Sequence, residues 1–400
     1  MTEAAAARVS LHRELSGSVA DLGVLVPIAV ALIVKNGLSP TAVLLPAALL
    51  YVTVAFAYHL PVAVQPLKAL GAIAIAKGLG ADEIAAAALI LGTTFLVLGS
   101  TGLIDHAGRA FPRALIRGVQ LTVGLLFLKV AWGLVADPPA SFEENALAPE
   151  WAVPLGALVV ILAVLLRRRP VALALVAVGV VVMLVDAGGI PALGPSAIEL
   201  PSLSQATFAA ALTALVIPQL PLTFANSCLA PADAARTYFG ERARKVTPGR
   251  LATTLGAANL FSGSIAGMPV CHGAGGMTAH YAFGARTGRA PLAIGVTLLA
   301  VALVLGAGLA TLLTAFPLPI LAGLLATAGL LHIALLRDLR GAREWVIAGI
   351  VGVIGFEWNL AIGLGVGLLL WWGQELARRV GSRSWTSKPT RRSASQGSEP

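Results

Sequence analysis

M-P-V-C-H-G-A-G-G-M-T-A-H-Y-A-F-G-A-R-T-G, from Met268 to Gly288, interrupts an otherwise apolar region of the chain. Pro269 lacks a backbone N–H, and Gly273, Gly275 and Gly276 lack the Cβ that would hold a ligand off the backbone. The stretch therefore reads as the start of a helix and not as the middle of one. A helix that starts at membrane depth presents unpaired N–H groups and the positive end of its dipole, and neighbouring glycines let an anion approach closely. This stretch is read as half of an anion site.

The other half is P-V-A-V-Q-P-L-K-A-L-G, Pro61 to Gly71, which also opens on Pro-Val, sets Pro66 at a favourable first helical position and adds Gln65 and Lys68. Pro61 and Pro269 stand 208 residues apart in a chain of 400. That offset fits a duplicated transporter with one interrupted helix in each half and the two half-helix starts meeting near the midplane. The competing reading is that Pro and Gly are common in membrane helices and that the glycines serve close helix packing.

Composition sets the class. Hydrophobic residues make up 57% and charged residues 12%, and the mean hydropathy is +0.86, far from a soluble domain with about a quarter charged residues. The chain reads as an all-α polytopic membrane protein whose surroundings are the lipid bilayer. Its net charge of +9 is read by position along the membrane topology, since basic-aromatic patches for nucleic acid are absent. Cys228 and Cys271 lie in apolar segments without metal-ligand spacing and read as core residues with no disulfide. No cleavable signal peptide is expected, because the first apolar run carries Asp21 and no small-residue cleavage site follows.

Charge clusters and Pro/Gly turns cut the chain into about fourteen apolar segments, near 18–34, 41–58, 61–76, 84–104, 114–135, 151–166, 170–187, 206–229, 250–265, 269–284, 290–313, 317–335, 343–356 and 359–377. With both termini cytoplasmic, 24 of the 28 Lys and Arg fall on the cytoplasmic side. Lys35 and Lys77 fall outside among acidic residues such as Asp82, Glu83, Glu143 and Glu144, and Lys68 and Lys129 fall within spans. The implied organisation is a cytoplasmic N-terminus over 1–17, a first repeat over 18–187, a second over 206–377, and a polar, disordered cytoplasmic tail over 380–400.

Few side chains offer chemistry. Lys68 in mid-span costs roughly 2.5–3.5 kcal/mol to insert and so faces a cavity or a partner, either an anion or a carboxylate such as Asp21. Lys129, near the outer end of its span, is expected to snorkel. Gln65 can donate to an oxyanion through its amide. His272 can donate through an imidazole N–H, or be satisfied by a backbone carbonyl. Pro218 and Pro221 in P-Q-L-P-L-T-F-A-N-S distort their helix and free carbonyls that Gln219, Thr223 and Asn226 help to satisfy. Asp21 is the embedded carboxylate best placed for proton or sodium coupling, unless it only orients Lys68. The G-A-G-G run lacks the following Lys-Ser/Thr of a phosphate loop, and no base-oriented nucleophile, metal cluster or cofactor motif points to an enzyme.

Taken together, E-L-S-G-S-V-A-D-L-G, P-V-A-V-Q-P-L-K-A-L, P-Q-L-P-L-T-F-A-N-S and the 268–288 stretch resemble the molybdate transporter family related to the SulP sulfate permeases. The resemblance runs from about Glu14 to the last span. It implies a seven-plus-seven inverted repeat with core and gate domains, no cytoplasmic STAS domain, a location in the plasma membrane and, as in SulP relatives, a homodimer. It also implies an oxyanion substrate held by Gln65, Pro66 and Lys68 from one half and His272, Gly273, Ala274 and Gly275 from the other, with Gln219 and Asn226 lining the site. One departure is that Pro218 to Ser227 contains no carboxylate, where sulfate permeases can carry one. The expected function is secondary active uptake of a tetrahedral oxyanion, molybdate first. The alternatives are a sulfate permease, a nucleobase:cation symporter of the same fold and an anion channel.

Overall fold

A computed structural model of the chain describes residues 14, 22–104, 112–138, 142, 146–166, 171–186, 191–282 and 284–386. Asp21 lies outside them, as do residues 387–400 of the expected tail. The chain is built of helices: α1 (Leu22–Asn36), α2 (Pro40–Tyr58), α3 (Lys68–Lys77), α4 (Ala81–Thr101), α5 (Arg113–Ala136), α6 (Pro149–Leu165) and α7 (Val171–Asp186) in the first half. A long rod, α8 (Gln205–Lys245), opens the second half. It is followed by α9 (Pro248–Ser264), α10 (Ala274–Ala282), α11 (Arg289–Val304), α12 (Gly306–Thr314), α13 (Leu318–Ala334), α14 (Ala342–Ile354) and α15 (Leu360–Thr386). Two two-residue strands, β1 (Gln65–Pro66) and β2 (Val270–Cys271), precede α3 and α10.

Within the described residues each of the fourteen apolar segments contains helical structure, the third and tenth only after a strand lead-in, and α11 and α12 together lie in the eleventh. Among the described residues, six helical stretches are long and apolar enough to cross a bilayer unaided, or seven if α11 and α12, bent by 90°, form one span. The rest are shorter. At 1.5 Å per residue, α3 with its 10 residues reaches about 15 Å, half of a roughly 30 Å hydrocarbon core. The last helix continues to Thr386, past the point where a disordered tail was expected, because E-L-A-R-R-V after Gln374 is built of good helix formers.

Local chemistry explains the boundaries. Ser39 caps α2 by accepting from the Ala42 amide, with Pro40 at the first position. Thr247 and Pro248 do the same for α9. The left-handed residues His59, Gly78 and Gly102 follow the ends of α2, α3 and α4. In α8, Pro218 and Pro221 remove two amide donors, and the rod accommodates this with π-helical turns at Leu212–Val216 and Thr223–Leu229.

The helices meet along glycine seams. Gly92 and Gly99 on α4 face Gly256 and Gly249 on α9, so backbone lies directly on backbone, and Gly263 one further seven-residue step along α9 lies against Leu89 and the Ala85 carbonyl. A Cβ on Gly92 would come within 2.7 Å of the Leu260 amide, and one on Gly256 within 2.8 Å of the Gly92 carbonyl. Gly288 and Gly295 bring α11 onto Ala55 and Ala48 of α2 in the same way, and Gly124 meets Gly329 where α5 crosses α13. Large apolar side chains such as Phe56, Trp132, Trp151 and Leu369 stay exposed around the outside, as a bilayer-facing surface requires. A cavity of about 460 Å³ between α1, α7, α11, α12 and the α12–α13 turn is lined almost wholly by apolar side chains, among them Leu25, Met183 and Phe316.

Gly256→Leu is expected to force α4 and α9 apart and lower the melting temperature of the detergent-solubilised protein, overpacking of this kind costing about 1–3 kcal/mol or more. An unchanged melting temperature would show that the seam is not close-packed.

Candidate functional site

The two Pro-Val stretches lie side by side. β1 and β2 pair antiparallel, with Gln65 opposite Cys271 and Pro66 opposite Val270. The Leu67 amide donates to the Pro269 carbonyl at 3.0 Å, and the Cys271 thiol points to the Pro66 carbonyl at 3.4 Å. Because Pro66 and Pro269 have no N–H, the ladder cannot extend, and each strand gives way at once to a helix. The starts of α3 and α10 are thus brought together.

Each start leaves amides unused within its own helix. In α3, Leu70 N–H is taken by Gln219 Oε1 at 3.0 Å, while the backbone amides of Lys68 and Ala69 lie beyond the helical ladder. In α10, the Gly273 carbonyl accepts from Met277, leaving Ala274, Gly275 and Gly276 N–H beyond the helical ladder. A Cβ on Gly275 would meet nothing within 4 Å, so no neighbouring group crowds the chain at this position. Gly273 differs: a Cβ there would collide with the Gln65 side chain, which lies across it. The two glycines therefore do separate jobs, one seating Gln65 and the other keeping the approach clear.

Lys68, half-buried at the first position of α3, donates through Nζ to Gln65 Oε1 at 2.5 Å. The ion pairs among the described residues are Arg117–Asp338 and Arg343–Glu375. Lys68 thus has no carboxylate partner among them, and Asp21 lies outside. Lys129 is exposed, with its ammonium 5.9 Å from the centroid of the Phe356 ring.

Three expected lining residues separate on geometry. Gln219 spends its amide on structure: besides capping α3 it donates through Nε2 to Thr223 Oγ1 at 3.0 Å. His272, fully buried, turns away from both helix starts. Its Nδ1 is 3.3 Å from the Ala63 carbonyl and its Nε2 2.9 Å from Thr254 Oγ1, with Tyr58 edge-on to the ring. A carbonyl only accepts, so Nδ1 carries the proton and Nε2 accepts from Thr254. Of the two roles open to His272, the geometry gives the backbone-satisfied one. Asn226 is half-buried on the second π turn of α8 and makes no side-chain hydrogen bond among the described residues.

Asn259 was missed by the sequence reading. Buried in α9, it accepts from Val270 N–H at 2.8 Å and donates to the Val270 carbonyl at 2.8 Å, holding β2 by both backbone groups. A lone Asn in the apolar run A-A-N-L-F was the available signal. Among the described residues, no group of three or more His, Cys, Asp or Glu could hold a metal ion.

A family model described as "Molybdate transporter of MFS superfamily" matches residues 13–127 and 211–331, more than half of the chain. The chain belongs to this molybdate transporter family. Curated relatives agree: Molybdate transporter 2 of Arabidopsis thaliana is 28% identical over 90% of this chain and 87% of its own length. Molybdate transporter 1 of Chlamydomonas reinhardtii is 27% identical over 89% and 90%. Among solved structures, the transmembrane domain of the cyanobacterial bicarbonate transporter BicA superposes with a TM-score of 0.64 at 16% identity, covering 90% of this chain and 97% of that one. The murine anion transporter Slc26a9 in its inward-facing state gives 0.67 at 14% identity, covering 93% and 69%. Although the family description names the MFS superfamily, the fold is similar to that of the SLC26 and BicA transporters. The family's chain is a membrane transporter and not an enzyme.

Asn259→Ala is expected to leave both backbone groups of Val270 unpaired, costing about 1–3 kcal/mol. Thermal unfolding in detergent should show the loss, and a melting temperature equal to wild type would remove Asn259 from the clamp.

Proposed function

We propose that this protein is a secondary active transporter that takes up a tetrahedral oxyanion, molybdate first, bound between the starts of α3 and α10. Family membership and fold support anion transport in general. The observation that carries the finer reading is the β1–β2 pair, which sets two helix starts against each other beside a lysine without a carboxylate partner among the described residues. Each helix start is equivalent to about half a positive charge, so two of them with Lys68 sum to about +2, the complement of a dianion. The binding groups in this reading are the amides of Lys68, Ala69, Ala274 and Gly275, the Lys68 ammonium and the Gln65 amide, with Pro66 and Gly273 shaping the site. Gln219 and His272 act behind it, and Asn226 stands at its edge.

We further propose fourteen membrane segments in two inverted repeats of seven, in the plasma membrane with both termini cytoplasmic. Helix packing supports this, because pairings come as mates across the halves. The α4–α9 contact corresponds to α11–α2, and α5–α14 to α12-following α13 with α6, while α5–α13 and β1–β2 are their own mates. The two blocks matched by the family model also begin about 200 residues apart. In the proposed cycle, a core carrying the strand pair moves against a gate built around α5 and α13. A homodimer is carried as an expectation from the resemblance, and the role of Asp21 in coupling as one from its place as an embedded carboxylate in the sequence.

The test is uptake of labelled molybdate by proteoliposomes, with tungstate, sulfate and uracil as competitors. Accumulation blocked by tungstate and barely by sulfate is the expected result. Equal block by sulfate makes the protein a general oxyanion permease, and block by uracil alone overturns the substrate class. In the same assay Lys68→Ala should cut uptake at least tenfold, and Gly273→Ala should do so by displacing Gln65, whereas Gly275→Ala should be milder. Wild-type uptake by Lys68→Ala would remove the lysine from the site.

A further inference from the structure

The cavity between α1, α7, α11, α12 and the α12–α13 turn lies apart from the strand pair, and its lining decides what can fill it. At about 460 Å³ it is about three times the size of an engineered apolar cavity of roughly 150 Å³ that stays dry and takes up benzene. Thr297 is the one hydroxyl among the residues that line it, and that hydroxyl already donates to the Ala293 carbonyl at 2.8 Å. A buried water needs about two to four polar partners, and these walls offer little more than the lone pairs of a single oxygen. Left empty, the space would cost every side chain around it the dispersion contacts of a packed interior. An apolar occupant answers both conditions.

The surroundings of the cavity say which apolar group is at hand. Val180 of α7 and Thr297 of α11 line it and are also exposed. Beside them Val178, Val181 and Leu184 of α7 and Val296 of α11 stand exposed on the bilayer-facing surface, so the cavity is continuous with that surface and opens between α7 and α11. Its inner wall is closed, with Leu25 and Ile33 of α1, Leu309 of α12 and Phe316 all buried. Lining residues run from Leu25 to Ile33 on α1 and from Ala293 to Val301 on α11, about 12 Å along each helix at 1.5 Å per residue. That length is close to the depth of one leaflet, half of a roughly 30 Å hydrocarbon core.

We propose that this cavity is a binding site for one acyl chain of a bilayer phospholipid, which enters between α7 and α11 and lies along α1. The tail needs no polar contact inside, and its headgroup stays outside the opening at the membrane surface. A bilayer presents such tails at this opening at a concentration no dissolved apolar ligand reaches. The site does not depend on which anion the protein carries. It does fill a seam: α1 packs on α3 and β1, and α11 on α2, whereas α7 packs on α6 and α13. The tail therefore stands between helices of the strand-pair side and a helix of the opposite side, in place of direct packing.

Purified full-length protein in phosphatidylethanolamine–phosphatidylglycerol vesicles tests this, with a trace of phospholipid that carries a diazirine midway along one tail. After illumination and digestion, mass spectrometry locates the adducts. Leu25, Ile33 and Leu309 are closed to lipid that merely surrounds the protein, so adducts on them are expected beside those on Val181 and Val296. Ala29, buried in the cavity wall, offers the control: Ala29→Phe puts a ring into the space and should abolish the inner adducts while leaving the outer ones unchanged. Adducts confined to Val181 and Val296 in wild type would overturn the site, as would inner adducts that survive Ala29→Phe undiminished. Should Ala29→Phe fail to fold, Ala293→Phe on α11 takes its place with the same two outcomes. Inner adducts from a photoreactive free fatty acid but none from the phospholipid would give the cavity to another apolar ligand and overturn the phospholipid assignment.

Discussion

Two prolines and a four-residue ladder determine what the rest of the chain must do. Backbone that is neither helix nor closed sheet is tolerated inside a bilayer only where protein or a water-lined cavity satisfies it. Here the strands satisfy one another through Leu67 and Pro269, and Asn259 closes the outer side of β2. His272 anchors the next residue to Ala63 and Thr254, and Gln219 takes one amide of α3. These four contacts come from four different parts of the chain. What remains is a small set of N–H groups beyond the ladders of α3 and α10, and the proposed anion site is built from them.

Lysine and dipoles divide the work unequally between the halves. α3 brings a full charge with its amides, while α10 brings amides and open space at Gly275. The unequal contribution breaks the near-symmetry of two similar stretches. In the proposed site, charge on one wall and clearance on the other would give the ligand an orientation as well as an affinity, with fixed donors replacing hydration without reorganising.

Much of this was legible in the residues. Pro61 and Pro269 announced the interruptions, and the fourteen apolar segments found helices because charge clusters mark the turns of a membrane chain. Gln65 lies beside both Lys68 and Gly273, so the two Pro-Val stretches meet where the sequence sets them against each other. The roles of Gln219 and His272 were less legible, since an amide or imidazole near a helix start can face the start or support it from behind, and only the backbone partner decides. Asn259 stands alone in an apolar run, where sequence marks a polar residue without naming what it meets. The number of helices that cross unaided was also obscured, because bends such as that between α11 and α12 depend on packing and leave no charge behind.

The glycine seams carry a consequence for how such a chain can vary. Where α4 lies on α9, backbone atoms already occupy the place of a side chain, so Gly92, Gly99 and Gly256 admit no alternative without moving a whole helix. A bilayer-facing position such as Phe56 or Leu369 meets only lipid and tolerates any apolar replacement. Mutational drift is therefore channelled to the rim of the molecule, and two chains that share little of their sequence can still keep the same helix crossings.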